Sequence, residues 1–335
     1  MVISENIKKV YVVASMGYRT GGVELLHQLV FELKQNNIPS QIAYLHNSKN
    51  GIIPEYKKYI DDYVFVNEIE DSKDTLLIIP ENFTWVARQF SLCEKAIWWL
   101  SLDNYLKRKD VLFATKKYGL LQALKIVART IIGKNIQLNS QELSKIQYHF
   151  VQSHYVKEYL AKIGVQSYFL TDYLNAFFFE KTSGVNKENI VVFNPSKGIK
   201  VTQKIIKMNK DIVFVPIAGM TTEEVRDLLD RAKVYIDFGE FPGKDRIPRE
   251  AAMRFCCIIC GRDGASKNEY DFSLPKEYKV DKNNKEIKQI RQLILKCINN
   301  YDNVIKDFEH YRNTIMQEER IFKEEVLSIF GARHE

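Results

Sequence analysis

Short apolar runs alternate with amphipathic segments along most of the chain. Residues 9–14 have the composition of a buried strand, and residues 21–35 follow with leucines and a valine at helical spacing. Further strands are predicted at residues 41–45, 63–66, 75–79, 95–100, 149–152 and 166–170, with a helix at residues 154–163. This alternation of strands and helices predicts a parallel, doubly wound sheet.

The same pattern starts again after a polar run, residues 173–188, which includes Ser183 and Gly184 and is predicted to be a linker. Strands are predicted at residues 189–193, 211–215, 234–238 and 256–260, and helices at residues 199–208, 249–255 and 286–330. Thr221 and Glu224 form an S/T-x-x-E capping box before another helix. We therefore predict one domain over residues 1–172 and a second over residues 189–335, which includes the terminal helix.

The predicted fold class is α/β, with two Rossmann-like, doubly wound domains that face each other across a cleft. The length of 335 residues supports two cores rather than one. Open parallel sheets bind ligands at the carboxyl ends of their strands, so the cleft is the expected site.

Composition narrows the class of protein. Apolar residues make up 45% of the chain and charged residues 27%, as in soluble globular proteins. No apolar run approaches the roughly 20 residues that a membrane span needs, and we see no signal peptide, so a cytoplasmic location is expected. Three of the five cysteines, Cys256, Cys257 and Cys260, lie in one apolar run, which favours a buried strand over a metal site.

Positive charge is scattered over most of the chain, which argues against nucleic-acid binding. The exception is the basic segment, residues 107–134, where eight Lys or Arg residues accompany one Asp and many apolar residues. Such a segment is typical of an amphipathic helix on an anionic membrane surface, at the inner face of the membrane. The alternative is a core helix with a solvated basic face.

Two turns between a strand and a helix carry glycines. Gly21 and Gly22 open the first helix, and Asn194 precedes Lys197 and Gly198 at the start of a helix in the second half. Glycines let backbone N–H groups approach a phosphate or a sugar oxygen, and the helix N-terminus adds positive potential. Each turn alone is also compatible with a plain tight turn. Neither matches G-x-G-x-x-G, which argues against a nicotinamide dehydrogenase.

The densest cluster of charge follows the strand that ends near Asp237. Three cations and four carboxylates stand within residues 237–250: Lys244, Arg246, Arg249, Asp237, Glu240, Asp245 and Glu250. A sugar-diphosphate site explains this composition, because cations neutralise phosphates and a carboxylate binds ribose hydroxyls. A solvated surface loop is the alternative.

The order of these motifs resembles the retaining glycosyltransferases of family 4, which have the GT-B fold. The resemblance rests on Gly-Gly-x-Glu after the first strand, Lys-Gly opening the second domain, and Pro-x-Glu-Ala-Ala-Met at a helix start. It implies that Glu250 holds the donor ribose and that Lys197, Gly21 and Gly22 contact the donor. Asn194, Gly198 and Gly219 complete the set of donor-binding residues that we predict.

Two positions depart from the family pattern. Pro242 stands where the family has a second glutamate, and Val192 stands where it has an arginine. Glu240 or Asp245 are the candidates to replace the glutamate. Candidates to replace the arginine are Lys244, Arg246 and Arg249.

The first domain offers an acid for the acceptor side. Asp103 follows a predicted strand and is either a general base toward an acceptor hydroxyl or a helix cap. Glu81 and Asp172 also follow strands, with weaker claims. His27 lies on the first helix and is expected to be structural.

The predicted function is transfer of a sugar from a nucleoside-diphosphate sugar to an acceptor hydroxyl, in polysaccharide or glycoconjugate synthesis. The acceptor is expected to be a saccharide or a lipid-linked molecule. Cations of the second domain would neutralise the leaving diphosphate, so we expect no metal and no cofactor. The alternatives are a nucleotide-sugar epimerase and a non-catalytic nucleotide-sugar-binding protein of the same fold.

Overall fold

A computed structural model describes residues 2–133, 135–180 and 184–331. The chain divides into two compact units, one formed by Met1–Asp172 with Arg320–Glu335 and the other by Tyr173–Glu319. Lys134 in the basic segment and Ser183 in the predicted linker lie outside the described residues.

The first unit is built on a seven-stranded parallel sheet in the order β3-β2-β1-β4-β5-β6-β7. Its strands are β1 (Lys9–Ala14), β2 (Ser40–Tyr44), β3 (Tyr63–Phe65), β4 (Thr75–Pro80), β5 (Glu94–Trp99), β6 (Tyr148–Val151) and β7 (Tyr168–Phe169). The helices are α1 (Gly21–Gln35), α2 (Leu102–Lys109), α3 (Val111–Tyr118), α4 (Leu120–Ile132), α5 (Ser140–Leu143) and α6 (His154–Lys162). The central strands are buried on both faces, as their continuous apolar runs require.

The second unit has a five-stranded parallel sheet in the order β12-β11-β10-β8-β9. Its strands are β8 (Glu188–Phe193), β9 (Val213–Pro216), β10 (Ala232–Asp237), β11 (Cys257–Gly261) and β12 (Lys279–Val280). The helices that follow in chain order are α7 (Ile199–Met208), α8 (Thr222–Arg231), α9 (Arg246–Met253), α10 (Asn284–Asn299), α11 (Tyr301–Val304) and α12 (Glu309–Phe330). Both sheets are therefore doubly wound, as the alternating pattern predicts.

The last helix joins the two units. Its final turns belong to the first unit, where the Ile329 carbonyl accepts hydrogen bonds from the backbone N–H groups of Val2 and Ile3, each at 2.9 Å. Phe330 packs on Phe150 of β6. The sequence analysis placed residues 320–335 with the second domain because a continuous helical pattern gives no sign of where its packing partner changes.

The predicted linker packs within the second unit. Phe178 is buried, and the guanidinium of Arg254 donates to the carbonyls of Phe178 and Glu180. The polar run predicts a linker over residues 173–188, whereas the buried Phe178 anchors this segment to the second unit.

The basic segment forms three helices rather than one. The Asp110 side chain accepts a hydrogen bond from the Phe113 N–H and so starts α3, and Gly119 has a φ of 87°, which separates α3 from α4. All five cysteines are buried and free. Among the described residues, no helix has the length and hydropathy of a membrane span.

Candidate functional site

The five-stranded sheet reverses its strand order between β8 and β10, which lie side by side although β9 comes between them in sequence. Loops that leave neighbouring strands at such a switch point diverge and leave a crevice for a ligand. Here the two loops are residues 194–198, which lead to α7, and residues 238–245, which lead to α9. The sequence motifs of the second half therefore meet at one edge of one sheet.

Glycines bring these two loops into close contact. Gly198 has a φ of 59°, and a β-carbon there would lie 2.2 Å from the Phe238 carbonyl oxygen. A β-carbon at Gly239 would lie 2.8 Å from the β-carbon of Lys197. The Asn194 side chain shapes the first loop by accepting a hydrogen bond from the Ser196 N–H at 2.9 Å. Glycine is thus required by the protein's own packing at both positions.

A lysine and two aspartates lie at the centre of this switch point. The Lys197 Nζ lies 2.6 Å from the Asp245 Oδ1, and Asp237 ends β10 with its carboxylate accepting hydrogen bonds from Tyr235 Oη and the Gly239 N–H. Burial alone would lower the pKa of Lys197, but Asp245, Asp237 and Glu240 outweigh it and raise the pKa. Lys197 therefore stays cationic.

Asp237 is one of the four carboxylates of the charged cluster, but no role is predicted for it from the sequence. Burial, with repulsion from Asp245, raises the pKa of Asp237 to about 6, although Lys197 and two hydrogen bonds favour the charged form. Its sequence signal is the acidic residue at the end of an apolar strand, which is how switch-point carboxylates are placed.

Contacts with Phe272, Ala265 and Lys282 fix the backbone of the loop at residues 238–245. Phe241 has a φ of 45° and its buried ring packs on Phe272 at 5.1 Å. The Phe241 carbonyl accepts a hydrogen bond from the Ala265 N–H, and the Lys282 Nζ donates to the Gly239 carbonyl at 2.8 Å. A strained phenylalanine persists only where its surroundings fix it, and such strain is concentrated at functional sites.

Two of the predicted phosphate cations pair with one carboxylate of α12. The Lys244 Nζ lies 2.9 Å from Glu318 Oε1, and the Arg249 Nη1 lies 2.6 Å from Glu318 Oε2. Arg249 is fully buried and also donates to the carbonyls of Lys244 and Asp245. Its guanidinium therefore fixes the shape of the loop and does not face solvent.

The remaining predicted donor residues surround this centre or lie one loop away. Glu240 and Arg246 are half-buried at either end of the loop, and Glu250 is half-buried in α9. The helix starts at Arg246, one turn earlier than predicted, so Glu250 lies in its second turn. Gly219 follows β9 with a φ of 66° and open space around it.

The seven-stranded sheet has its own switch point, between β1 and β4. Gly21 and Gly22 begin α1 there, and the Thr20 hydroxyl caps the helix by accepting a hydrogen bond from the Val23 N–H at 3.2 Å. A β-carbon at Gly22 would meet Leu100 at 3.5 Å, an ordinary contact. A larger residue would therefore fit against its neighbours at position 22, in contrast to position 198.

His27 is structural, as expected. It is buried, its Nδ1 lies 2.7 Å from the Val23 carbonyl oxygen and its Nε2 lies 2.8 Å from Tyr44 Oη. Burial lowers its pKa to about 4.

Glu81 follows β4 at this switch point. It is buried, and its Oε2 accepts a hydrogen bond from the Leu100 N–H at 2.9 Å. Burial raises the pKa of Glu81 to about 7, against the hydrogen bonds from backbone N–H groups and the field of Arg108. Asp172, the other weak candidate, is also buried.

Asp103 lies in the first turn of α2 and is 1% exposed. Its Oδ2 lies 2.5 Å from the Lys117 Nζ, and its Oδ1 accepts a hydrogen bond from Tyr155 Oη at 3.1 Å. The expected cap position is held by Ser101, so Asp103 is not the N-cap of α2. Because the carboxylate is almost fully buried, an acceptor hydroxyl can reach it only if neighbouring side chains move away.

Comparison with solved structures identifies the architecture. The chain matches TarM with a TM-score of 0.56 and 15% identity over 79% of its length, but spans only 56% of that chain. It matches WaaB, a lipopolysaccharide outer core galactosyltransferase, with a TM-score of 0.56 and 10% identity, covering 96% of this chain and 98% of that one. It matches GtfA, a pneumococcal O-GlcNAc transferase solved with UDP and GlcNAc, with a TM-score of 0.57 and 10% identity, covering 96% and 97%.

The chain has the GT-B fold. No protein-family model matches the sequence, and no curated protein matches it. The fold class is thus confirmed, whereas membership of family 4 stays a prediction.

Within this GT-B chain, the sequence motifs do not include Glu318 or Lys282, and they include Asp237 without a predicted role. Asp237 had a local signal, the acid at a strand end. Glu318 and Lys282 had none, because both reach the switch point from elements distant in sequence. In the described part of the chain, no group of three or more His, Cys, Asp or Glu residues is arranged to hold a metal ion.

Proposed function

We propose that this chain is a glycosyltransferase that moves a sugar from a nucleoside-diphosphate sugar to the hydroxyl of a saccharide or a lipid-linked acceptor. The observation that carries the proposal is the partly exposed Lys197, held cationic at the switch point of the second unit by Asp245. Such a lysine beside a glycine turn fits the diphosphate of a donor. The UDP bound by GtfA makes UDP-sugars the first donors to try.

The exposed fractions of the three cations support a choice among them as ligands of the diphosphate. Lys197 keeps 31% of its side chain exposed, whereas Arg249 has none exposed and Lys244 has 11%. A diphosphate would have to compete with Asp245 for Lys197, which is feasible because both side chains are partly exposed. We assign Lys197 to phosphate binding and Arg249 to positioning of the loop.

Glu250 is proposed to bind the donor ribose, with Glu240 or Asp245 as the acid near the reacting sugar. Asn194, Gly198 and Gly219 would contribute backbone groups, and Arg246 a further cation. The acceptor is proposed to bind through the first unit. Gly21 and Gly22, which open α1, are proposed to contact the donor. A lipid-linked acceptor would place a cytoplasmic reaction at the inner face of the membrane.

The first test is a thermal-shift panel of nucleoside diphosphates and nucleotide sugars, because a ligand of the native state raises the unfolding midpoint by mass action. Glu250→Ala should lower donor affinity by about 10- to 150-fold, the worth of a charged hydrogen bond. Glu223→Ala, an acid in the first turn of α8, is the matched control and should bind donor like the wild type. Normal donor binding by Glu250→Ala would remove Glu250 from the site.

The second test separates the alternatives. Release of nucleoside diphosphate only when an acceptor is present supports transfer. Conversion of one nucleotide sugar into its epimer supports the epimerase instead. Donor binding with neither hydrolysis nor transfer would leave a non-catalytic binding protein, which the proline at position 242 would then explain.

A further inference from the structure

Helices α3 and α4 expose an unusual amount of apolar surface. Six leucine and isoleucine side chains there are more than half exposed: Leu112, Leu120, Leu121, Leu124, Ile131 and Ile132. Contiguous apolar patches are rare on soluble monomers and mark a surface that binds a protein or a membrane.

Helix α4 is apolar on two sides. Ala123 and Ile126 are buried and attach the helix to the first unit. Leu120, Leu124 and Ile131 repeat at spacings of four and seven residues, so they share a second face, which is exposed. The exposed apolar face is therefore separate from the face that packs on the first unit.

The charged side chains within α3 and α4 are all cationic, and Asp110, which caps α3, is the nearest acid in sequence. Residues 111–132 contain four Lys or Arg residues and no Asp or Glu. Lys116 and Lys125 are exposed and Arg129 is half-buried, whereas Lys117 is taken by Asp103. Apolar side chains flanked by cations fit a bilayer that carries anionic lipids. The apolar side chains can enter the boundary between headgroups and acyl chains, and the anionic headgroups attract the cations.

The surface is held in place before any partner arrives. Lys117 ties α3 to Asp103 of α2, and the Gln122 side chain donates to the Lys107 carbonyl at 3.0 Å. A pre-positioned face loses less conformational entropy on docking than a free peptide would.

We propose that the exposed face of α3 and α4 docks this protein on the anionic surface of a lipid bilayer. The exposed leucines and isoleucines enter the headgroup and acyl boundary, and Lys116, Lys125 and Arg129 lie among the headgroups. This docking is independent of the sugar-transfer proposal, since no residue of the donor site takes part.

Sedimentation of the full chain with vesicles tests the docking. Vesicles of phosphatidylcholine alone are compared with vesicles that also contain phosphatidylglycerol, at low and high salt. The wild type should sediment with the anionic vesicles and should bind less at high salt, because screening weakens surface attraction. Leu121→Gln/Ile131→Gln should lower the partition coefficient by about tenfold or more. Lys125→Gln/Arg129→Gln should lower it by about fivefold per cation removed.

The control is Met208→Gln/Val213→Gln, which changes two apolar residues of the second unit that are also more than half exposed and should partition like the wild type. The unfolding midpoint of each variant establishes that it is folded. Equal binding to both kinds of vesicle, or no binding to either, would overturn the proposal. A dimer in light scattering that Leu121→Gln/Ile131→Gln makes monomeric would show that the face binds a second copy of the chain instead.

Discussion

The parallel sheets of both units reverse their strand order at a switch point, but the side chains at the two switch points differ. In the second unit, Gly198 and Gly239 allow two loops to pack closely against each other. Lys197, Asp237 and Asp245 lie together at the centre of that switch point. In the first unit, Glu81 is buried at the equivalent edge and is held by backbone N–H groups. A parallel sheet thus fixes where a ligand binds, and the loop residues decide what class of ligand it is.

The largest expected effect is on the free energy of unfolding, and it comes from comparing Gly198 with Gly219. Gly198→Ala places a β-carbon on the Phe238 carbonyl in a left-handed backbone, which should cost about 2–5 kcal/mol of unfolding free energy. Gly219→Ala has a similar φ and open space, so it should cost about 1–2 kcal/mol. Chemical denaturation measures both. Equal costs would mean that close packing of the two loops does not hold the switch point together.

The buried carboxyl of the first unit gives a pH-dependent effect. Its pKa is raised from 4.5 to about 7, so the folded protein binds this proton more tightly than the unfolded chain does. The free energy of unfolding should therefore fall as the pH rises from about 4.5 to about 7. Glu81→Gln imitates the protonated form and should gain little at pH 4.5 but up to about 3 kcal/mol at pH 8. The exposed Glu158→Gln is the control, and a gain from Glu81→Gln that is the same at both pH values would contradict the burial argument.

The charged centre of the second unit predicts an effect on ligand binding. Lys197→Met should weaken binding of a nucleoside diphosphate by about 10- to 150-fold, because a charged hydrogen-bond donor is lost. Lys200→Met, on the exposed side of α7, should bind like the wild type. Calorimetry measures both affinities. A Lys197→Met variant with unchanged affinity would place the diphosphate elsewhere in the chain.

The local spacing of apolar residues predicted the strands and helices well, because each of these elements has its own repeat of apolar positions over a short stretch of sequence. Residues 21–35 and 199–208, for example, form the predicted helices without a shift. The same reasoning joined the end of α2 with α3 and α4 into one segment, because the pattern stays amphipathic across the helix boundaries at Asp110 and Gly119.

The site was predictable in its motifs but not in its pairings. The turn at Lys197 and the loop after Asp237 were visible as clusters in sequence, and the fold brings them together as expected. That Glu318 takes Lys244 and Arg249 could not be foreseen, because the partners are about 70 residues apart and meet only through packing of α12. Charge-rich loops therefore indicate a site more reliably than they indicate which cation is available.

The smallest expected effect concerns Asp103, for which the sequence left a general base and a helix cap open and whose carboxylate contacts Lys117 and Tyr155 in the structure. A general base contributes about 100- to 10,000-fold to turnover. Because both oxygens of Asp103 already have partners, we expect Asp103→Asn to reduce turnover by less than about tenfold and to leave the pH–rate profile unchanged. Tyr155→Phe removes the other contact of the same carboxylate and should have an effect of similar size, since an anchor loses one hydrogen bond in either variant. Turnover and its pH dependence, measured for both variants beside Glu240→Gln and Asp245→Asn, decide the question. A loss of 100-fold or more in Asp103→Asn alone, with the acidic limb of the pH profile gone, would restore Asp103 as the base and would require Lys117 to move aside when the acceptor binds.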